Sequence, residues 1–104
     1  AEGASADDVE DGRLEGTAAY LAPELVAGSR PSIASDAWAF GCTLYHALCG
    51  RPPLWAESQV EVMRRIIRFE GVDEAIFPDE VPPLARELIG QLLCPLVEER
   101  LGGG

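Results

Sequence analysis

The longest run of apolar residues lies near the middle of the chain, around residues 37–49, and is interrupted by His46. Apolar side chains such as Trp38 and Phe40 fall there on almost every side of a helix. Ser35 precedes the run as an N-cap candidate, and Gly50 follows it as a C-terminal stop. Because a helix that is apolar all round must be buried all round, the pattern predicts the central helix of a larger body.

Two further stretches have the spacing of amphipathic helices, one at residues 58–68 and one that begins after Pro83 and stops at Pro95. The first apolar stripe consists of Val62, Met63, Ile66 and Ile67, and the second of Leu84, Ala85, Leu88, Ile89, Leu92 and Leu93. Residues 1–16 are small, acidic and aperiodic, which is typical of a loop. No stretch shows the alternation of a strand, so the predicted fold class is mainly α.

The chain has eighteen Asp and Glu against eight basic residues, and its formal net charge is −10. Such a surface repels nucleic acid and acidic membranes. No apolar stretch is long enough for a transmembrane segment, and we expect a cytoplasmic protein. Cys42, Cys49 and Cys94 lack paired metal spacing, and His46 is interpreted as a core or helix-surface residue, so no metal site is expected.

Three stretches carry motifs. Residues 16–24 read Gly-Thr-Ala-Ala-Tyr-Leu-Ala-Pro-Glu, residues 35–53 run from Ser-Asp-Ala-Trp to Gly-Arg-Pro-Pro, and residues 100–102 read Arg-Leu-Gly. In this order they resemble the helical C-lobe of eukaryotic-type protein serine/threonine kinases. The resemblance implies an incomplete domain, with an acidic flexible part of the activation segment at residues 1–15 and a partial C-lobe of three helices at residues 16–104. Residues 65–70 and 85–88 are similar to the AGC group, and within it to the phosphoinositide-dependent protein kinases.

The resemblance also implies roles for single residues. The wall that faces a peptide substrate would consist of Gly16, Thr17, Ala18, Ala19 and Tyr20. Thr17 would support catalysis by bonding the catalytic carboxylate and orienting the substrate hydroxyl, which favours Ser/Thr over Tyr substrates.

Three charged residues would be structural. Glu24 and Arg100 occupy the positions of a buried ion pair. Asp36 would accept hydrogen bonds from the backbone of the catalytic loop, or act as a first-turn charge favoured by the helix dipole. The chain departs from the family at residues 96–97, where Leu-Val replaces a capping Asp-Pro.

Phosphoryl transfer by a kinase requires a glycine-rich loop, a lysine, a catalytic aspartate with a following asparagine, and a metal-binding aspartate. The chain contains no lysine and no asparagine, nor a His-Arg-Asp or Asp-Phe-Gly triplet. We therefore expect the 104-residue chain to be catalytically inactive, with no residue for a catalytic step, a cofactor or a metal. ATP, Mg²⁺ and a Ser/Thr protein substrate would belong to the longer kinase from which such a segment derives.

Two interpretations of that longer protein remain open, an active kinase and a pseudokinase or scaffold that binds proteins. The first is favoured by the four residues that match the family: Thr17, Glu24, Asp36 and Arg100. The departures at Leu96-Val97 and at Arg13 leave room for the second, because Arg13 occupies the position of the usual activating phosphoacceptor. Glu10, Asp11 and Glu15 would supply part of the missing negative charge permanently, or form only a solvated loop.

Overall fold

The computed structural model describes residues 18–102, which form helices and loops without a β-strand. Along this range lie the α-helices α1 (Pro23–Val26), α2 (Ile33–Cys49), α3 (Gln59–Arg68) and α4 (Pro83–Leu92). Short 3-10 helices in the same range lie at Glu74–Ile76 and Val97–Glu99. The predicted mainly α class is confirmed. Within residues 18–102, no helix is both long and apolar enough to cross a membrane.

The central helix α2 begins at Ile33, earlier than the apolar pattern predicted. Its N-cap is Ser32, whose hydroxyl accepts from the Ser35 N–H at 3.2 Å, while the Ser32 N–H donates to the Ser35 hydroxyl at 2.7 Å. The prediction of Ser35 as the N-cap was therefore wrong, because the reciprocal bonds place it inside the first turn. Gly50 ends the helix in the left-handed region at φ 94°, as expected of a C-terminal glycine.

The larger core cluster joins α2 to α4. It consists of Ala22, Trp38, Cys42, Tyr45, Phe77, Val81, Ile89 and Leu93. The two helices approach closely at Gly41, where an added Cβ would lie 2.8 Å from the Leu92 Cβ. A side chain at this position would therefore separate the helices, so the packing of α2 on α4 requires glycine.

A smaller cluster packs the residues before α1 against α3. It consists of Ala18, Ala19, Ala56, Val62 and Ile66.

Ser58 caps α3, because its hydroxyl accepts a hydrogen bond from the Glu61 N–H at 3.1 Å. The prediction that Ile67 belongs to the buried stripe was wrong, because that side chain is 53% exposed.

The predicted apolar stripes of α4 and α2 are also only partly buried. Leu84, in the first turn of α4, is 80% exposed. On α2, Trp38 and Cys42 are fully buried, whereas Phe40 is 56% and Leu48 is 44% exposed. The central helix is thus buried on one side within residues 18–102, and not on every side.

Candidate functional site

The predicted substrate wall is described in part. Ala18 and Ala19 are each 1% exposed and pack against Val62 and Ile66 of α3. The Leu21 N–H donates to the Ala18 carbonyl at 3.1 Å, which closes a turn across Tyr20. Ala18 and Ala19 are therefore held against α3 by apolar contact.

Gly16 and Thr17 lie outside the described residues, as do Arg13 and the acidic residues before it. Their predicted roles, and the division of the chain at residue 15, stay predictions.

The Tyr20 hydroxyl is hydrogen-bonded to Nδ1 of His46 on α2. The two rings are tilted by 40°, with centroids 6.1 Å apart. Burial, with a smaller contribution from Cys42, raises the pKa of Tyr20 above its usual value, so the hydroxyl keeps its proton. In the tautomer whose Nδ1 carries no proton, the Tyr20 hydroxyl donates a hydrogen bond to Nδ1, and this bond links the predicted wall to the central helix.

Sequence reasoning did not connect His46 with the wall. The sequence interpreted His46 as a core or helix-surface residue, and the structure places it half-buried on α2. Since 26 residues separate Tyr20 from His46, no local spacing signals the pair.

Glu24 and Arg100 form a bidentate ion pair. Nη1 of Arg100 lies 2.8 Å from Oε2 of Glu24, and Nη2 lies 2.9 Å from Oε1. The Arg100 side chain is fully buried, whereas that of Glu24 is 16% exposed. The ion pair expected from the sequence is present, and it fastens the start of α1 to the C-terminal part of the described chain.

Arg100 has further partners on two other segments. Nε donates to the Cys94 carbonyl, and Nη1 also donates to the Ala34 carbonyl, both at 2.8 Å. The guanidinium carbon lies 5.2 Å from the ring centroid of Trp38. A buried guanidinium is stable only when its donors are satisfied, and here three segments supply the acceptors.

The same contacts act on the carboxylate. The hydrogen bonds from Arg100 hold the pKa of Glu24 below its usual value, against the opposing effect of burial. Glu24 is therefore ionised at neutral pH, which preserves the pair.

Asp36 lies in the first turn of α2 and is exposed. A carboxylate there interacts favourably with the helix dipole. Among residues 18–102 its side chain makes no hydrogen bond, so the predicted contact with a catalytic loop stays a prediction.

Residues 97–99 form a 3-10 turn whose N-cap, Leu96, provides no side-chain cap.

Within residues 18–102, no group of three or more His, Cys, Asp or Glu side chains is arranged to hold a metal ion. Burial raises the pKa of the Cys42 thiol to about 12, so it behaves as a small apolar residue and not as a nucleophile. The described residues thus include part of the predicted wall, packed against α3, and a buried ion pair.

The amino-acid sequence matches that of known proteins over most of its length. A family profile described as protein kinase domain matches residues 5–103. The chain belongs to the protein kinase family.

Its relatives are serine/threonine kinases, including kinases of the AGC type. The chain is 38% identical over 89 residues to the serine/threonine-protein kinase gad8 of Schizosaccharomyces pombe. It is 37% identical over 87 residues to human 3-phosphoinositide-dependent protein kinase 1, and 40% identical over 92 residues to a cGMP-dependent protein kinase of Eimeria tenella. These matches cover 86%, 84% and 86% of the chain, but only 15%, 15% and 9% of the respective relatives. The chain therefore corresponds to a small part of each relative.

Proposed function

We propose that this chain forms the substrate-facing wall and the C-lobe core of a protein kinase that transfers phosphate from ATP to Ser or Thr of proteins. The observation that carries the proposal is the anchoring of residues 18–24. Ala18 and Ala19 are held against α3, Tyr20 is bonded to His46, and Glu24 is bonded to Arg100. A kinase needs its peptide-binding segment held rigidly, because small displacements of the acceptor hydroxyl slow phosphoryl transfer.

The exposed side of α2 supports an origin in a larger domain. Ile33, Phe40 and Leu48 recur at helical spacing along one side of the helix and are 79%, 56% and 44% exposed. A continuous apolar stripe on a central helix is expected to be covered by protein. The covering part would be the remainder of the kinase domain, which would also bind ATP and Mg²⁺. The 104-residue chain alone would then be inactive.

The experiment is a phosphoryl-transfer assay on the full-length protein, with Mg²⁺-ATP and matched peptides that carry serine or tyrosine as the acceptor. We expect serine to be phosphorylated and tyrosine not. Thr17→Ala should lower kcat/KM by about tenfold to a hundredfold, because the acceptor hydroxyl is no longer oriented. Thr43→Ala is the matched control, since that hydroxyl is exposed and donates to the Ala39 carbonyl of its own helix at 3.0 Å.

A full-length protein that binds partners but transfers no phosphate would support the alternative, a pseudokinase or scaffold segment. Equal effects of Thr17→Ala and Thr43→Ala would contradict the role given to Thr17.

A further inference from the structure

An open groove of about 610 Å³ lies beside the loop that follows α2. Its lining includes Tyr45, Arg51, Trp55, Glu57, Arg65 and Ile76. A space of this size accommodates a ligand or several side chains of a partner. Neither the described part of the substrate wall nor the Glu24–Arg100 pair contributes to the lining, so the groove is a separate surface.

Hydrogen bonds link the segments that line the groove to one another. The Tyr45 hydroxyl donates to the Ile76 carbonyl at 2.6 Å, which ties α2 to the 3-10 helix after α3. Nη1 of Arg65 donates to the Trp55 carbonyl at 2.7 Å, which ties α3 to the loop. A surface that is already ordered loses little conformational entropy when a partner binds.

Trp55 supplies an aromatic surface at this groove. Its side chain is 42% exposed, whereas Trp38 is fully buried. Tryptophan is the residue type most enriched among those that dominate binding energy at protein interfaces, because it offers a large, rigid apolar area. Trp55 therefore provides a contact for one large apolar side chain of a partner.

The charge around the groove is opposite to that of the chain. The chain has a net charge of −10, yet two arginines and one glutamate line the groove. Among residues 18–102, Arg51 forms no ion pair. Arg65 faces Glu61 only at 3.6 Å, between side chains that are 51% and 39% exposed, and such a pair is weak. Among residues 18–102, the guanidinium of Arg51 is therefore available to a carboxylate, and Arg65 offers Nη2 while its Nη1 donates to the Trp55 carbonyl.

We propose that this groove binds an acidic peptide segment of a partner protein. One aromatic or branched aliphatic side chain of the segment packs against Trp55, and its carboxylates pair with Arg51 and Arg65. Guanidinium groups bind carboxylates through two parallel hydrogen bonds, which fixes the orientation of the segment. A short peptide reaches this local cationic surface, whereas a membrane or a nucleic acid also meets the repulsion of the acidic chain. This docking does not depend on phosphoryl transfer.

The test measures binding of a fluorescent peptide to the full-length protein without ATP, by anisotropy. The peptide carries one phenylalanine flanked by glutamates, and two control peptides replace the phenylalanine by alanine or the glutamates by glutamine. We expect binding that weakens with salt, and loss of affinity in both controls. Trp55→Ala should weaken binding by about tenfold or more, with the fold checked by circular dichroism.

Arg51→Glu should weaken binding by about tenfold, and Arg51→Lys by less, because lysine keeps the charge without the bidentate geometry. The matched control is Arg30→Glu, which changes the net charge equally at an exposed arginine outside the groove. Equal losses in Arg51→Glu and Arg30→Glu would show nonspecific attraction and overturn the proposal. No binding up to about 1 mM, or Trp55-dependent binding to phosphatidylserine vesicles in place of the peptide, would also overturn it.

Discussion

The guanidinium of Arg100 and the carboxylate of Glu24, 76 residues apart in sequence, share two parallel hydrogen bonds of 2.8 and 2.9 Å. Arg100 also donates to the Ala34 and Cys94 carbonyls. One buried side chain therefore joins the segment after the proposed substrate wall, the start of the central helix and the end of α4. Removal of this side chain would remove the hydrogen bonds that link these three segments.

We expect Arg100→Ala to lower the free energy of unfolding of the full-length protein by about 3–5 kcal/mol, because it leaves a carboxylate and two carbonyls without their partner. Arg64→Ala is the matched control: Arg64 pairs with Glu61 at 2.6 Å, but the side chains are 48% and 39% exposed. That change should cost less than about 1 kcal/mol. Urea denaturation measures both, and equal costs would contradict a structural role for the buried pair.

The lowered pKa of Glu24 predicts an acid-dependent loss of stability. In the unfolded chain the carboxyl titrates at about pH 4.3, so between that pH and the lower folded pKa the unfolded state binds more protons. The contribution of the pair is thus complete above about pH 4.3 and is lost as the pH falls through the folded pKa. Comparison with Glu24→Gln between neutral and acidic pH measures it. The stability difference should shrink in acid, and parallel curves would refute the prediction.

Gly41 and Gly90 both lie inside helices and give opposite predictions. A Cβ on Gly41 would meet Leu92 Cβ at 2.8 Å, so Gly41→Ala should destabilise by about 1–3 kcal/mol in spite of better helix propensity. A Cβ on Gly90 would meet Val72 only at 4.0 Å, so Gly90→Ala should stabilise by about 0.5–1 kcal/mol. Thermal or chemical denaturation measures the change in unfolding free energy for each variant. If both changes stabilise, helix propensity and not helix contact governs these sites; if both destabilise, the prediction for Gly90 is wrong.

The three cysteines should differ in reactivity. Cys42 is buried with a pKa of about 12, whereas Cys49 and Cys94 are partly exposed. Since the thiolate is the reactive form, iodoacetamide at pH 8 should modify Cys42 much more slowly than Cys94 in the folded protein. Peptide mass spectrometry measures the rates, and urea should make them similar. Equal rates in the folded protein would mean that Cys42 is accessible.

Phe40 tests whether the exposed side of α2 is covered in the full-length protein. If it is, Phe40→Ser should cost about 3 kcal/mol there, as expected for a buried aromatic side chain. The isolated chain leaves Phe40 56% exposed, so the same change should reduce its self-association, measured by light scattering. Leu84→Ser, at an 80% exposed position, is the control and should change stability by about 0.5 kcal/mol or less. If Phe40→Ser leaves the stability of the full-length protein unchanged, this side of α2 is not covered.

Much of the secondary structure followed from local patterns. The helices at residues 58–68 and after Pro83 were predicted to within about two residues at each end, because helical periodicity and capping are short-range effects. The motifs also pointed to the Glu24–Arg100 pair, through a resemblance that extends over most of the chain. Local patterns were less informative at the start of α2, where the sequence favoured Ser35 as the cap and the mutual hydrogen bonds of the two serines identify Ser32 instead.

Periodicity, charge and motif order were thus enough to assign the helical class and the kinase resemblance, since each is a property of neighbouring residues or of their sequence. Burial was not predictable in this way. Ile67 and Leu84 have the right spacing and hydrophobicity but are exposed, because a side chain is buried only where another element packs against it. The hydrogen bond from Tyr20 to His46, the four acceptor contacts of Arg100 and the groove at Trp55 likewise arise only when segments distant in sequence come together.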